Sequence, residues 1–193
     1  IRGVAPSRGL GDVYKRQNPD VPVCKMNTVD GRPGGKALLT LILIRCNLMT
    51  AILIERNTQD CVIEALDGLC TAMGTTPFRR LCGVILTDRG SEFRNTYGDE
   101  HDPNGKLRTH VFYCDPYYFW QKGSMEKNHE FIHQILPKNP SFNWLTPSYV
   151  DRMGSHVNSY SRVQLNDKSP LEVAEFLTEK QLFADLQQKL IHQ

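Results

Sequence analysis

The sequence predicts a mixed α/β fold, in which a five-stranded sheet is flanked by helices and followed by a C-terminal helical extension. Three apolar runs follow one another between residues 21 and 54. A segment with helical spacing comes next, and two further short apolar runs come after it. Short apolar runs are typical of buried strands, whereas apolar positions spaced three and four apart indicate a helix. This order favours a layered α/β domain.

The first three strands are predicted to form an antiparallel meander. Residues 21–29 alternate loosely between apolar and polar side chains. They end at Asp30-Gly31-Arg32-Pro33-Gly34-Gly35, which is a dense turn signal. Ala37–Ile44 and Leu48–Ile54 are near-continuous apolar runs joined through Arg45-Cys46-Asn47. Strands that succeed one another so closely are expected to pair antiparallel.

The next elements are a helix, two strands and a series of helices. The helix begins at Asn57 or Thr58, either of which can cap it, and ends near Met73. Val84–Leu86 predicts a central strand because it is wholly apolar, and Thr109–Tyr113 predicts a fifth. The later helices are predicted at Ser124–Leu136, Pro147–Ser159, Ser169–Phe176 and Glu179–His192. The ribonuclease H-like fold has this order, although other α/β folds can share it.

Composition sets broad limits on function. Hydrophobic residues make up 40% and charged residues 23% of the 193 residues, as in ordinary soluble domains. No apolar run reaches the ~18 residues of a membrane span. The net charge of +2 permits a nucleic-acid partner without requiring one. The cysteines form no C-x-x-C pair, so the simplest interpretation is six reduced thiols in a cytoplasmic protein.

Residues 1–17 are expected to be a non-native or disordered segment. They contain three glycines and three arginines and show no apolar period. The run Asp12–Gln17 resembles a translated sequencing-library adaptor, and an ordinary disordered tail is the alternative. If the segment is foreign, the natural protein continues upstream. We expect a core domain at residues 18–140 and a helical extension at residues 141–193.

The first candidate for chemistry is the segment Thr87–Phe93. Asp88 follows directly on the buried strand, and Gly90 allows a close approach to it. A carboxylate at the C-terminal edge of a strand is a favoured position for a binding or catalytic site. The alternative is an aspartate that simply begins a turn.

The second candidate precedes and enters the predicted helix Ser124–Leu136. Ser124 can cap this helix, which places Glu126 in its first turn. The alternative is that Glu126 only complements the helix dipole. The aromatic run 117–120, which ends at Trp120, can stack on unpaired bases beside Lys122, or it can pack under a loop.

A third pattern is His129-Glu130-Phe131-Ile132-His133, which matches the H-E-x-x-H signature of zinc metalloproteases. It places two histidines on one helix face. The pattern is short, and a third ligand would have to come from a residue such as His156 or Asp151. A surface helix with two solvated histidines is the favoured interpretation.

Taken together, the motifs resemble the insertion-sequence transposases of the IS thirty family, which are DDE transposases with an integrase-type catalytic core. The similarity spans about residues 21–177. The matching stretches are Met26–Gly31, Gly34–Leu41, Thr87–Phe93, Phe112–Pro116, Trp120–Gly123, Glu126–Ile132, Leu136–Lys138 and Leu165–Glu172.

The resemblance implies a ribonuclease H-like fold and metal-dependent cleavage and transfer of DNA strands. Three carboxylates of that family occupy positions that correspond here to Asn27, Asp88 and Glu126. They imply a site for two Mg²⁺ or Mn²⁺ ions, with Asp88 and Glu126 as ligands. The implied partners are transposon ends, target DNA and further copies of the chain, in the bacterial cytoplasm near the nucleoid. The expected DNA-binding residues are Arg89, Trp120, Lys122, Lys127 and Asn128.

Two positions depart from the family pattern. Asn27 stands where the family has aspartate, and Arg89 stands where it has asparagine. Asparagine offers a neutral oxygen, so it holds a divalent cation less well than a carboxylate does. Asp30 is a poor substitute, because an offset of three along a strand points it to the other sheet face. We hypothesise that this copy binds metal weakly and cleaves poorly.

A non-catalytic DNA-binding remnant of a transposase is therefore the alternative function. Family members also carry an N-terminal helix-turn-helix region that reads the transposon ends. No segment here matches such a region, so we expect this chain alone to lack specificity for those ends.

Overall fold

The computed structural model describes residues 21–114, 130–136 and 141–177. Its five strands form one sheet in the order β3-β2-β1-β4-β5. The β1–β2 and β2–β3 pairs are antiparallel, which confirms the predicted meander, and the β1–β4 and β4–β5 pairs are parallel. The sheet is therefore mixed, as predicted. The strands are β1 (Val23–Asp30), β2 (Ala37–Leu43), β3 (Leu48–Ile54), β4 (Val84–Thr87) and β5 (His110–Tyr113).

Helices flank the sheet. Thr58 is the N-cap of the first helix, and its hydroxyl accepts from the Cys61 N–H. Gly74 ends that helix with a positive φ of 90°, a conformation that glycine adopts without steric cost. The α-helices are α1 (Gln59–Met73), α2 (Thr75–Leu81), α3 (Thr96–Glu100), α4 (Pro147–Ser159) and α5 (Pro170–Leu177). Two 3₁₀ turns cover Ser91–Phe93 and Val163–Leu165, and residues 130–135 are also helical.

The predicted helices at Pro147–Ser159 and Ser169–Phe176 are confirmed, the second shifted by one residue. Helices α2 and α3 were not predicted. Both are short, with seven and five residues, so they carry too few turns for an apolar period to be recognised. The predicted helix Glu179–His192 and residues 124–129 lie outside the described residues. Within the described ranges, no helix has the length and apolar character needed to cross a membrane.

Apolar side chains cover both faces of the sheet. On one face, Cys24 and Met26 of β1 pack with Val62 and Leu66 of α1. We call this the α1 face. On the other face, Val29 of β1 packs with a second set, and we call this the α4 face. That set includes Leu38, Ile42, Ile132, Leu136, Phe142, Leu145, Val150, Met153 and Val157.

Residues 142–157 therefore belong to the same packed core as β2, although they were assigned to a C-terminal extension. Asn158 strengthens this attachment by a pair of hydrogen bonds to the backbone of Met49 in β3. The division of the chain at residue 140 stays a prediction.

One pair of cysteines differs from the expectation of six reduced thiols. Cys24 and Cys82 form a disulfide, with their Cα atoms 5.4 Å apart. That separation lies within the range that a disulfide requires. The two residues are 58 positions apart, and they meet because β4, which pairs with β1, begins two residues after Cys82. The other described cysteines are not in disulfides.

Candidate active site

The parallel pairing of β1 and β4 brings two of the three predicted site positions to neighbouring strands. The last paired residues in this ladder are Lys25 and Leu86. The ladder stops there and β4 ends at Thr87, but the same register, continued by two residues, brings Asn27 opposite Asp88. Because both strands run in the same direction, the two residues lie at the same edge of the sheet.

Asn27 lies on the α4 face. Side chains alternate along a strand, so Asn27 shares its face with Val29, which packs against the α4 side. Ile85 of β4 belongs to the α1 face, and the same alternation, continued one residue past the end of β4, would put Asp88 on the α4 face. Ile132 and Leu136, at the end of the predicted Glu126 helix, are buried on this face too. Glu126 itself lies outside the described residues.

The Asp88 carboxylate is exposed and held by the backbone. Its Oδ1 atom accepts a hydrogen bond from the Gly90 N–H at 2.9 Å. Asp88 therefore does begin a turn, as the alternative interpretation predicted. The two interpretations are compatible, because this hydrogen bond uses one carboxylate oxygen and orients the group at the sheet edge.

Asn27 is half-buried within the sheet. Its backbone oxygen accepts a hydrogen bond from the Thr40 hydroxyl at 3.0 Å, and Thr40 is its fully buried ladder partner on β2. The main chain at position 27 is thus held by the neighbouring strand β2. Asn27 differs from the expected aspartate in charge, while its side chain has nearly the same length.

A polar cluster lies on the α1 face, on the opposite side of the sheet from the Asn27 side chain. The Glu92 Oε1 atom accepts from the Thr28 hydroxyl at 2.8 Å and from the Asn57 amide at 3.4 Å. The Asn57 Nδ2 atom also lies 3.2 Å from the Thr28 hydroxyl and 3.2 Å from Asp30. Asp30 therefore points to the side opposite Asn27, as expected. The sequence interpretation gave no site role to Thr28, Asn57 or Glu92, although Thr28 and Glu92 lie in the matching stretches Met26–Gly31 and Thr87–Phe93.

The described residues alone do not make a complete metal site. Among residues 21–114, 130–136 and 141–177, no group of three or more His, Cys, Asp or Glu side chains is arranged to hold a metal ion. Asp88 fits a hard cation because it is an exposed carboxylate, whereas Asn27 supplies a neutral oxygen. Of the predicted DNA-binding residues, Arg89 is exposed at this edge. The others, Trp120, Lys122, Lys127 and Asn128, lie outside the described residues.

The H-E-x-x-H pattern is not assembled into a zinc site by the described residues. Glu130 is exposed and His133 is half-buried, while His129 lies outside the described ranges. The Nε2 atom of His156, one of the suggested third ligands, lies 3.2 Å from the Tyr160 hydroxyl. For Asp151, the other suggested ligand, burial raises the pKa of the carboxyl group.

A separate group of buried charges lies between α1, α3 and β5. Asp99 is 1% exposed, and neither carboxylate oxygen has a hydrogen-bond partner within the described residues. Burial raises the pKa of Asp99 to about 7, against a smaller lowering by Arg108. The fully buried Arg108 guanidinium binds Asp67 and the carbonyl oxygens of Gly98 and Asp99.

Comparison with known proteins identifies the relatives of this chain. It is 33% identical over 126 residues to the transposase for insertion sequence element IS1086 of Cupriavidus metallidurans, covering 63% of this chain and 37% of that protein. It is 27% identical over 94 residues to the IS4351 transposase of Bacteroides fragilis, covering 49% of this chain and 28% of that protein. The curated homologues of this chain are insertion-sequence transposases.

The IS thirty resemblance is confirmed by a third relative. Transposase InsI of element IS30A from Escherichia coli K12 is 32% identical over 65 residues, which cover 34% of this chain and 17% of InsI. The chain thus spans about a third or less of the length of these relatives. No protein-family model matches it. The transposase relatives do not favour the zinc protease alternative.

Solved structures confirm the predicted ribonuclease H-like fold. The catalytic core domain of BIV integrase has a TM-score of 0.53 at 14% identity, over 78% of this chain and 91% of that domain. A chain of the simian T-cell lymphotropic virus intasome, solved with the PP2A regulatory subunit B56 gamma, has a TM-score of 0.55 at 12% identity. That match covers 78% of this chain and 53% of the other.

Proposed function

We propose that this chain is the catalytic core of a DNA transposase that cuts DNA strands and joins them to a target. The observation that supports the proposal is the parallel β1–β4 register on a ribonuclease H-like sheet, which, continued two residues past its last pair, would bring Asn27 opposite Asp88. The transposase relatives support the assignment. In this proposal, positions 27, 88 and 126 form one site for two divalent cations, Mg²⁺ or Mn²⁺.

The protein's own contribution is to hold oxygen ligands at fixed positions. Asp88 is oriented by the Gly90 N–H, and the main chain of Asn27 is held by Thr40. Glu126 would approach from the helix whose C-terminal end packs on the same face. These residues would hold divalent cations, which would supply activation of a water or 3′-hydroxyl nucleophile and stabilisation of the leaving oxygen.

The neutral side chain at position 27 weakens this site. Two cations held close together repel each other, so their ligands must supply negative charge. We therefore propose that this copy binds the cations weakly and cleaves DNA slowly. Asn27→Asp should restore the charge without changing the side-chain length.

The experiment compares Mg²⁺- and Mn²⁺-dependent nicking of plasmid DNA by the unaltered chain and by Asn27→Asp. We expect the nicking rate to rise on the order of 10-fold or more, since ligand charge strongly tunes cation affinity. Asn104→Asp is the matched control, because it adds the same charge at an exposed loop residue. Robust nicking by the unaltered chain would refute the impairment, and no nicking by Asn27→Asp would contradict the catalytic proposal.

The second candidate function is a DNA-binding remnant without catalysis, which the asparagine at position 27 favours. The two functions differ in their need for metal. A remnant should bind DNA equally well with EDTA and with Mg²⁺, and Asn27→Asp should not make it an enzyme. In both cases we expect the affinity for DNA to fall steeply with salt, because phosphate contacts release counterions.

We further propose that the chain acts as a homo-oligomer on transposon ends and target DNA, near the bacterial nucleoid. The intasome neighbour supports an assembly with DNA. Sedimentation velocity with and without a DNA duplex measures the assembly size, and a monomer under both conditions would contradict the oligomer.

A further inference from the structure

We infer that Glu92 is a positioning residue that sets the geometry of Asp88 relative to β1. This inference rests on the proposed function, since it concerns the same site. It begins with the contact between Glu92 and Thr28. The Glu92 Oε1 atom accepts from the Thr28 hydroxyl at 2.8 Å, although the residues are 64 positions apart.

Thr28 follows Asn27 directly, and the two side chains point to opposite faces of β1. A contact that holds the side chain of Thr28 on the α1 face therefore also restrains the strand that presents Asn27 on the α4 face. Asn57 adds a second donor to Glu92 and also lies 3.2 Å from the Thr28 hydroxyl. Glu92 is thus bound to β1 both directly and through Asn57.

Gly90 connects Glu92 to Asp88. The Gly90 N–H donates to Asp88 Oδ1, while a Cβ atom at position 90 would lie 2.5 Å from Glu92 Oε2. The Glu92 carboxylate therefore packs against the glycine whose N–H orients Asp88. The contacts form a continuous route from Thr28 through Glu92 and Gly90 to the Asp88 carboxylate.

The rest of the loop after β4 is attached elsewhere. Phe93 is fully buried on the α1 face, and its carbonyl oxygen accepts from the Tyr113 hydroxyl. The Ser91 carbonyl oxygen accepts from the Gln59 side chain at 2.9 Å. These contacts fix the end of the loop to α1 and β5. Among the described hydrogen bonds of residues 91–93, those of the Glu92 side chain are the ones that reach β1.

A purely structural role for Glu92 would lower stability and leave the affinity of the folded site for cations unchanged. A positioning role predicts a change in that affinity. The side chains around a metal ligand that fix its orientation commonly affect metal affinity about 10- to 100-fold. The two roles can therefore be separated by measuring Mn²⁺ binding under conditions where every variant is folded.

The test uses the full chain with Asn27→Asp, titrated with Mn²⁺ and monitored by electron paramagnetic resonance of the free ion. Thr28→Val removes the hydroxyl donor but keeps the Glu92 charge, and we expect Mn²⁺ affinity to fall about 10-fold. Thr28→Ser keeps the donor and should stay close to the parent. Glu92→Gln keeps an acceptor oxygen and should lose less affinity than Glu92→Ala. Glu64→Ala, on the exposed side of α1, is the control for loss of a carboxylate.

The Gly90 amide resonance in NMR provides a readout that needs no metal. We expect it to shift in Thr28→Val and Glu92→Ala, because this N–H reports the hydrogen bond to Asp88, and to be retained in Thr28→Ser. Unchanged Mn²⁺ affinity in Thr28→Val, with binding intact in the parent, would overturn the positioning role. If the parent binds no Mn²⁺, the proposed function fails. The NMR test is independent of that result: an unshifted Gly90 resonance in Thr28→Val and Glu92→Ala would overturn the positioning role of Glu92.

Discussion

Two aspartates that lie 99 − 88 = 11 residues apart have opposite surroundings. Asp88 is exposed at the sheet edge and bonded to the Gly90 N–H. Asp99 is almost fully buried, lacks a described partner for its carboxylate, and has a pKa raised to about 7 by burial. Strongly shifted pKa values often mark functional sites, but structural groups shift as well. We propose Asp88 rather than Asp99 as the site residue, because the β1–β4 register puts it at the end of a central strand.

The largest effect is expected from removing the Asp88 charge. In the Asn27→Asp background, Asp88→Asn should abolish Mn²⁺-dependent nicking, because it removes a carboxylate ligand and keeps the side-chain shape. The measurement is the nicking rate of plasmid DNA. Asp60→Asn, at an exposed position in the first turn of α1, is the control and should retain the parent rate. Equal rates in Asp88→Asn and the parent would remove Asp88 from the site.

Asp99 should instead control how stability depends on pH. Its folded-state pKa of about 7 lies above the ordinary value of 3.8, so the folded protein retains a proton that the unfolded chain loses. The contribution of Asp99 to the free energy of unfolding is fully present below about pH 4. It is lost as the pH rises towards 7, and the total loss is on the order of 4 kcal/mol. Asp99→Asn should remove that loss and be the more stable protein at pH 8.

Urea unfolding of both proteins between pH 4 and pH 8 measures this difference. The comparison isolates Asp99 from the nearby charged groups Arg108, Glu100 and Asp67, which both proteins retain. If the unfolding free energies of the parent and of Asp99→Asn fall equally with pH, Asp99 is ionised in the folded protein and the prediction is wrong.

The third effect concerns the partner of Arg108. Asp67→Ala removes the carboxylate that binds this fully buried guanidinium and should destabilise the protein by about 2 kcal/mol. This cost is smaller than that of breaking a fully buried ion pair, because the Asp67 side chain is 28% exposed. Glu64→Ala, on the same helix, should change the unfolding free energy little. If both variants unfold at the same urea concentration, the ion pair does not contribute to stability.

The smallest effect on stability is expected at Gly90. Gly90→Ala places a Cβ atom against the Glu92 carboxylate, which is the flexible end of a side chain and can move, so the cost should be about 1 kcal/mol or less. The displaced carboxylate should nevertheless weaken Mn²⁺ binding in the Asn27→Asp background. A loss of stability without any loss of Mn²⁺ affinity would restrict Gly90 to a structural role.

The local elements were well predicted from the sequence, because apolar spacing and capping residues act over a few positions. Leu48–Ile54 and Pro147–Ser159 have the predicted bounds, and Thr58 is one of the two suggested caps. Short helix α3 was missed, and with it the burial of Asp99. Nothing local distinguishes Asp99 from a solvated aspartate, because its burial depends on Arg108 and on the packing of α3 against α1.

The sequence by itself determined the strand order along the chain, the position of Asp88 after a buried strand and the resemblance to insertion-sequence transposases. Only the tertiary structure decided the parallel pairings of β4 with β1 and β5, and so which distant residues meet. The parallel pairing of β4 with β1 brings Glu92 to Thr28 and Cys24 to Cys82, and its register points Asp88 towards Asn27. Parallel pairing closes a long loop and depends on the packing of both sheet faces, which local sequence patterns do not encode.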